Sequence, residues 1–93
     1  MGLTFEWDSA KARTNAAKHG VTFVEATTVF GDVASITISD PGHSQDEARE
    51  ITIGLSHRAN ILIVVHTERG DNVRIISARR ASQREREAYA KIS

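Results

Sequence analysis

The sequence predicts an α+β domain: a four-stranded antiparallel meander packed with two helices that precede it and one that follows. Three observations predict it. Apolar residues fall at helical spacing up to Phe30, then alternate from Ala34 onward, and a further helix-start signal follows Ala81. The segments between strands are short and rich in Gly, Asp, Asn and Ser, so neighbouring strands are joined by turns and run antiparallel. Thr22 and Ser82 each stand three residues before a Glu, and these two capping boxes mark helix starts on either side of the alternating region. The 93 residues make one domain, 1–93, with one modest core.

Taken in order, residues 3–6 alternate and can add a short N-terminal strand at the sheet edge. Asp8 stands where an N-cap belongs, before a run of good helix formers that ends at Lys18-His19-Gly20, with basic residues in the last turn and Gly at C′. The helix opened by Thr22 runs through Phe30 and stops at Gly31, with Phe23, Ala26, Val29 and Phe30 on one face. Ala34, Ile36 and Ile38 then alternate with polar residues as a strand. Asp40-Pro41-Gly42 ends it, and residues 43–47 are a polar connection. Residues 49–55 form the next strand, with Ile51, Ile53 and Leu55 pointing inward. A turn at 56–60 leads to residues 61–67, a continuous apolar run expected to be central and buried on both faces. Gly70-Asp71-Asn72 carries hairpin signals, residues 73–80 form the partner strand, and the last helix contains Tyr89.

Composition excludes several classes. There is no cysteine, hence no disulfide, thiolate zinc site or cysteine nucleophile. The longest apolar run, residues 61–65, is far short of the roughly 20 residues that span a bilayer, and no signal peptide is visible, so a soluble, cytoplasmic protein is expected. Net charge is zero, yet nine of the twelve cations are Arg, and eight of those lie between Arg49 and Arg86. Such a local basic surface binds nucleic acid or an acidic protein. The four histidines share no metal-ligand spacing, and neither a phosphate loop nor a nucleophile elbow is present, so no metal and no cofactor are expected.

A set of arginines, one strand histidine and a few carboxylates suits one reaction well: RNA cleavage by its own 2′-hydroxyl. The substrate supplies the nucleophile, and the protein positions it, moves two protons and stabilises a pentavalent phosphorane. Arg49 and Arg79 are the candidate charge stabilisers, because guanidinium is a forked donor and a poor base. His66, or a carboxylate such as Glu47 or Glu68, would take the proton. Arg74, Arg80 and Lys18 are candidate RNA-binding residues. An even-numbered turn places His66 on the face of Ser77 and Arg79, and an odd-numbered one places it beside Arg74 and Ile76. Each residue also has a plainer reading. His66 can be a half-buried strand residue bonded to a neighbour. Arg79 and Arg80 point to opposite faces, so at most one of them serves a given site. Arg49 can sit at a sheet edge, Arg84 and Arg86 can be solvated partners of Glu85 and Glu87, Tyr89 can pack its ring on the sheet, and Phe5 and Trp7 are core anchors.

Phe5-Glu6-Trp7-Asp8 with Asn15, then Lys18-His19-Gly20-Val21-Thr22-Phe23 with Glu25-Ala26 and Val29-Phe30, resembles the opening of BrnT-type toxins. The later pieces agree: Asp40, Ser44, Glu47-x-Arg49, Gly54-x-Ser56, and Arg74-Ile75-Ile76-Ser77-Ala78-Arg79 with Glu85-Arg86 and Tyr89. The resemblance runs from Phe5 to Tyr89. It implies a RelE/ParE-like fold and the toxin of a type II toxin–antitoxin pair, a ribonuclease that cuts RNA and stops translation. It also implies a BrnA-type antitoxin partner in a 2:2 assembly, with operator DNA bound only through the antitoxin. Since that fold also hosts gyrase inhibitors, the alternative is a non-nuclease toxin that binds a protein such as a topoisomerase. A third reading is a pure interaction module whose arginines bind an acidic antitoxin. The neutral net charge favours free RNA over the ribosome as target.

Overall fold

The computed structural model describes residues 3–40 and 48–92. Within them the chain runs β1 (Thr4–Glu6), α1 (Ser9–His19), α2 (Phe23–Thr28), a 3-10 turn (Val29–Gly31), β2 (Ile36–Ser39), β3 (Arg49–Leu55), β4 (Ile61–Arg69), β5 (Asn72–Arg80) and α3 (Gln83–Ile92). Ala34 therefore precedes its expected strand. The turn residues Pro41 and Gly42, the polar connection and Glu47 lie outside the described residues.

Local chemistry accounts for the helix ends. Gly20 takes a left-handed conformation (φ 70°) and its N–H bonds Ala16 O at 2.9 Å, closing α1. Asp8 occupies the N-cap position in extended geometry without a side-chain cap bond. Thr22 Oγ1 accepts from Glu25 N at 3.0 Å. Ser82 and Glu85 form a reciprocal capping box, with Glu85 N donating to Ser82 Oγ and Ser82 N to Glu85 Oε1.

One sheet holds all five strands, in the order β1-β5-β4-β3-β2. The antiparallel meander is present as β2 to β5. The N-terminal strand joins it parallel to β5, Phe5 opposite Val73, so the sheet is mixed and five-stranded rather than four-stranded and antiparallel. The connection from β1 to β5 spans most of the chain, which is why no local turn signal announces that pairing.

The inner face is covered by α1 and α2. Val21, Phe23, Ala26 and Val29 pack against Leu62, Val64, Val73, Ile75 and Ala78, with Phe5, Trp7 and Phe30 at the margin. Complete burial of side chains such as Phe23 and Leu62 contributes roughly 1.5–3 kcal/mol each. Here β3 departs from expectation. Its inward residues are Thr52 and Gly54, while Ile51 and Ile53 look the other way. Gly54 is required, because a Cβ there would lie 2.8 Å from Val29 Cγ1. The outer face is consequently apolar as well, with Ile36, Ile38, Ile51, Ile53 and Ile63 meeting α3 across a cavity of about 330 Å³. None of the residues of α3 is buried. Polar contacts hold it: Tyr89 Oη donates to Asp32 Oδ2 at 2.5 Å, and Arg79 bonds Glu85. The helices thus divide between the two faces.

Two details of β5 govern the rest. Gly70 has positive φ (62°) in a two-residue turn that pairs Arg69 with Asn72. Farther along, His66 pairs with Ile75 but Val65 pairs with Ser77, so Ile76 is an extra, bulged residue. Beyond the bulge, where β1 has ended, the edge of β5 is closed by a side chain. Asn15 Nδ2 donates to Ala78 O (2.8 Å) and to Val21 O (3.0 Å), and its Oδ1 accepts from Ala78 N (3.1 Å). The buried amide bonds the strand as a neighbouring peptide would.

Asn15→Ala removes three buried bonds and leaves strand groups unpaired, so it should lower the unfolding free energy by about 3 kcal/mol in urea titrations. An unchanged midpoint would show that the edge of β5 needs no such partner.

Candidate functional site

The outer face gathers the arginines. Thr67 pairs with Arg49 on one side and Arg74 on the other. Directly paired residues share a face, so the two guanidinium groups flank Thr67, with backbones roughly 10 Å apart across two strand spacings. The Thr67 hydroxyl between them is buried and has no hydrogen-bond partner among the described residues. Past the bulge, Ser77 and Arg79 return to this same face, opposite Val65 and Ile63. Arg79 stands roughly 13 Å along the strand direction from the Arg49–Arg74 row.

Carboxylates hold two of these arginines. Arg74 Nη1 donates to Glu6 Oε2 at 3.0 Å, and Asn72 Nδ2 donates to Glu6 Oε1 at 3.0 Å. The bond from Arg74 keeps the Glu6 carboxyl below the usual carboxylate range. Arg79 grips Glu85 with both arms, at 2.8 and 2.9 Å. That bond draws the Glu85 carboxyl down to about 2 and raises Arg79 in turn. Arg49 makes no ion pair among the described residues.

His66 is elsewhere. The turn is even-numbered, which alone would place His66 with Ser77 and Arg79, but the bulge reverses the faces between them. His66 therefore faces the core, 3% exposed, with its ring edge-on to Phe30 at 4.9 Å. Its Nε2 meets Thr52 Oγ1 at 2.8 Å, Thr52 Oγ1 meets Thr37 Oγ1 at 2.7 Å, and its Nδ1 has no partner among the described residues. Burial pushes its pKa below the ordinary 6.5. The bond to Thr52 matches the plainer reading, although the ring is buried rather than half-buried, and it lies across the sheet from the arginines.

Of the other expected residues, Arg80 alternates to the side opposite Arg79 and is exposed at the strand end. Lys18 lies in the last turn of α1, beside the free edge of β5 near Ser77. Glu68 is exposed near the hairpin tip, and Glu47 lies outside the described residues. Sequence reasoning missed Glu6 and the Arg79–Glu85 pairing. The first depends on the parallel β1–β5 pairing, but the second had a signal, since the capping-box Glu lies six residues beyond Arg79. It also missed Glu25, a buried carboxylate. Burial pushes Glu25 up, yet bonds from Asn60 Nδ2 (2.9 Å) and Ser56 Oγ (2.7 Å) outweigh it and hold the group ionised, pinning the β3–β4 turn to α2. Among the described residues no group of three metal-binding side chains converges, and no helix is long and apolar enough to cross a membrane.

Comparison with known proteins gives a consistent picture. The family model described as the ribonuclease toxin, BrnT, of type II toxin–antitoxin systems matches residues 7–85. The 1.1 Å crystal structure of the Brucella abortus ribonuclease toxin BrnT superposes with a TM-score of 0.64 at 27% sequence identity. That match covers 88% of this chain and 100% of that one. No curated protein sequence matches significantly.

Because His66 folds neutral, the unfolded chain takes up a proton below about pH 6.5 that the native state refuses. This contribution to stability is complete above 6.5 and is lost as pH falls through that value toward the lower folded pKa. His66→Gln should flatten the stability–pH curve between pH 7 and 5 in urea titrations. An equal slope in the variant would assign the acid loss to other groups.

Proposed function

The chain belongs to the BrnT family of ribonuclease toxins of type II toxin–antitoxin systems, and from that premise we propose that it is a metal-independent endoribonuclease acting from the outer face of its sheet. The observation that carries this reading is the placement of Arg49 and Arg74 on either side of Thr67. A phosphodiester above Thr67 lies within reach of both guanidinium groups, which supply forked donors to its non-bridging oxygens. As the substrate's 2′-oxygen bonds to phosphorus and the bond to the 5′-oxygen breaks, negative charge grows on those oxygens, and donors fixed beforehand stabilise it.

Two protons move in this step. The one from the 2′-hydroxyl goes to a carboxylate, and Glu47, two residues before Arg49, is the acceptor we assign. The departing 5′-oxygen takes a proton from water. Glu6 keeps Arg74 extended rather than moving a proton, since its bond to Arg74 makes it a weak base. Arg79, expected from sequence to act beside Arg49, is too far along the strand to share one phosphate with the other two, so it holds the next one. Arg80 and Lys18 contact the strand beyond. The products are a 2′,3′-cyclic phosphate and a 5′-hydroxyl.

The same reading gives the toxin a BrnA-type antitoxin in a 2:2 complex. The antitoxin brings operator DNA, and RNA cleavage in the cytoplasm halts translation. The expected RelE/ParE-like label is supported by the meander with two helices ahead of it and one behind.

Purified protein should cut a defined single-stranded RNA in EDTA and leave cyclic phosphate ends. Arg49→Ala and Arg74→Ala should each lower kcat by about 10²–10³-fold with the fold intact by circular dichroism, whereas Arg79→Ala should act mainly on KM. Products with 5′-phosphate and 3′-hydroxyl ends would contradict the mechanism. A kcat loss confined to Arg79→Ala would contradict the assignment of the arginines.

A further inference from the structure

We infer that the groove between α1 and the free edge of β5 is a separate RNA subsite, which holds the strand flanking the scissile phosphate through its backbone. This rests on the reading of the outer face as a nuclease site and extends it to a surface outside that face.

The groove exists because β1 covers only Asn72, Val73 and Arg74 of β5. Beyond them α1 stands in place of a strand, tied to Ala78 by Asn15, and a cavity of about 330 Å³ remains between helix and edge. Lys11, Thr14, Lys18 and His19 line one wall, and Ile76 and Ser77 line the other. Lys11, Thr14 and Lys18 are spaced i, i+3, i+7, so they form one stripe along the helix. The whole helix carries Lys11, Arg13, Lys18 and His19 without a single acid. In a chain of zero net charge that local excess is not a general feature of the surface.

Geometry selects the ligand. Lys11 and Lys18 are separated by about 10 Å of helix rise with Thr14 between them, so the stripe runs along the groove and offers contacts to successive phosphates of a strand lying in it. Ammonium groups act as point charges and read no base, so the groove contributes affinity rather than sequence preference. Its far wall includes Ser77, which lies on the outer face between Arg74 and Arg79. A strand leaving the Arg49–Arg74 clamp over the edge of β5 therefore enters the groove directly. The bulge at Ile76 opens that path, since it turns Ser77 outward at the point where β1 no longer covers the edge.

The test uses the full chain and a 12-nucleotide 2′-O-methyl RNA, which binds but lacks the nucleophile, with anisotropy read from 50 to 300 mM salt. Lys11→Ala/Lys18→Ala, both at exposed helix positions, should weaken binding roughly tenfold and lower the slope of log K against log salt by about 1.4, the value for two single-strand phosphate contacts. In cleavage of the matching all-ribose RNA the loss should fall on KM, and it should shrink on a dinucleotide, which offers no flanking phosphate. Unchanged affinity and slope in the double variant would overturn the subsite while leaving the nuclease reading intact. Wild-type protein that binds the 2′-O-methyl RNA with the full slope but cuts neither substrate would overturn the nuclease reading and keep the subsite.

Discussion

The rest of the molecule depends on one inserted residue, Ile76. The two-residue turn at Gly70-Asp71 sets a register in which, without the insertion, Ser77 and Arg79 would lie on the face of Ile75 and His66. That face is the core, and such a register would set Ser77 rather than Ala78 against the buried Val64. The bulge moves Ala78 inward, where it is almost fully buried, and turns Ser77 and Arg79 out. It also separates the one core histidine from every arginine of the proposed site. The same break brings Ala78 to Asn15, so the device that sorts the faces also positions α1.

Electrostatics on the outer face follow from that sorting. Arg74 is held by Glu6 from the far end of the chain and Arg79 by Glu85, six residues beyond it. Half-exposed pairs of this kind contribute little to stability. Their consequence is orientation, because a guanidinium already fixed by one carboxylate loses less freedom when it meets a phosphate. Arg49 has no such partner among the described residues. Local neutrality across the face explains how a chain of zero net charge presents several arginines together without repulsion between them.

Much of the fold was legible in the sequence. The capping box at Ser82, the glycine at the end of α1 and the turn at Gly70 were read from local chemistry, and the structure has each of them; at Thr22 only the threonine half forms, because the Glu25 carboxylate turns to Ser56 and Asn60. Alternation located β3 but assigned its faces wrongly. Ile51 and Ile53 are more apolar than Thr52 and Gly54, yet the inner face needed a hydroxyl for His66 and the space of a missing Cβ against Val29. Alternation at residues 3–6 offered β1 as an edge strand, but its parallel pairing with β5 and the bond of the Asn15 amide to Ala78 were invisible because both are contacts across more than sixty residues. At the site, periodicity placed Arg49, Arg74 and Arg79 on strands. Only the bulge decided that they share a face and that His66 does not, and a bulge has no reliable signature in a Val-Arg-Ile-Ile-Ser run.

The central claim is that Arg49, Arg74 and Arg79 meet RNA together on the outer face while His66 stays apart. Its most direct measurement is an NMR titration with 2′-O-methyl RNA that follows the arginine Nε–Hε signals and the His66 ring. The three outer-face arginines should shift in concert, with Arg58, near Glu25 on the helix side, and the His66 ring unchanged. Shifts confined to Arg58 and His66, with the outer-face arginines still, would contradict the account.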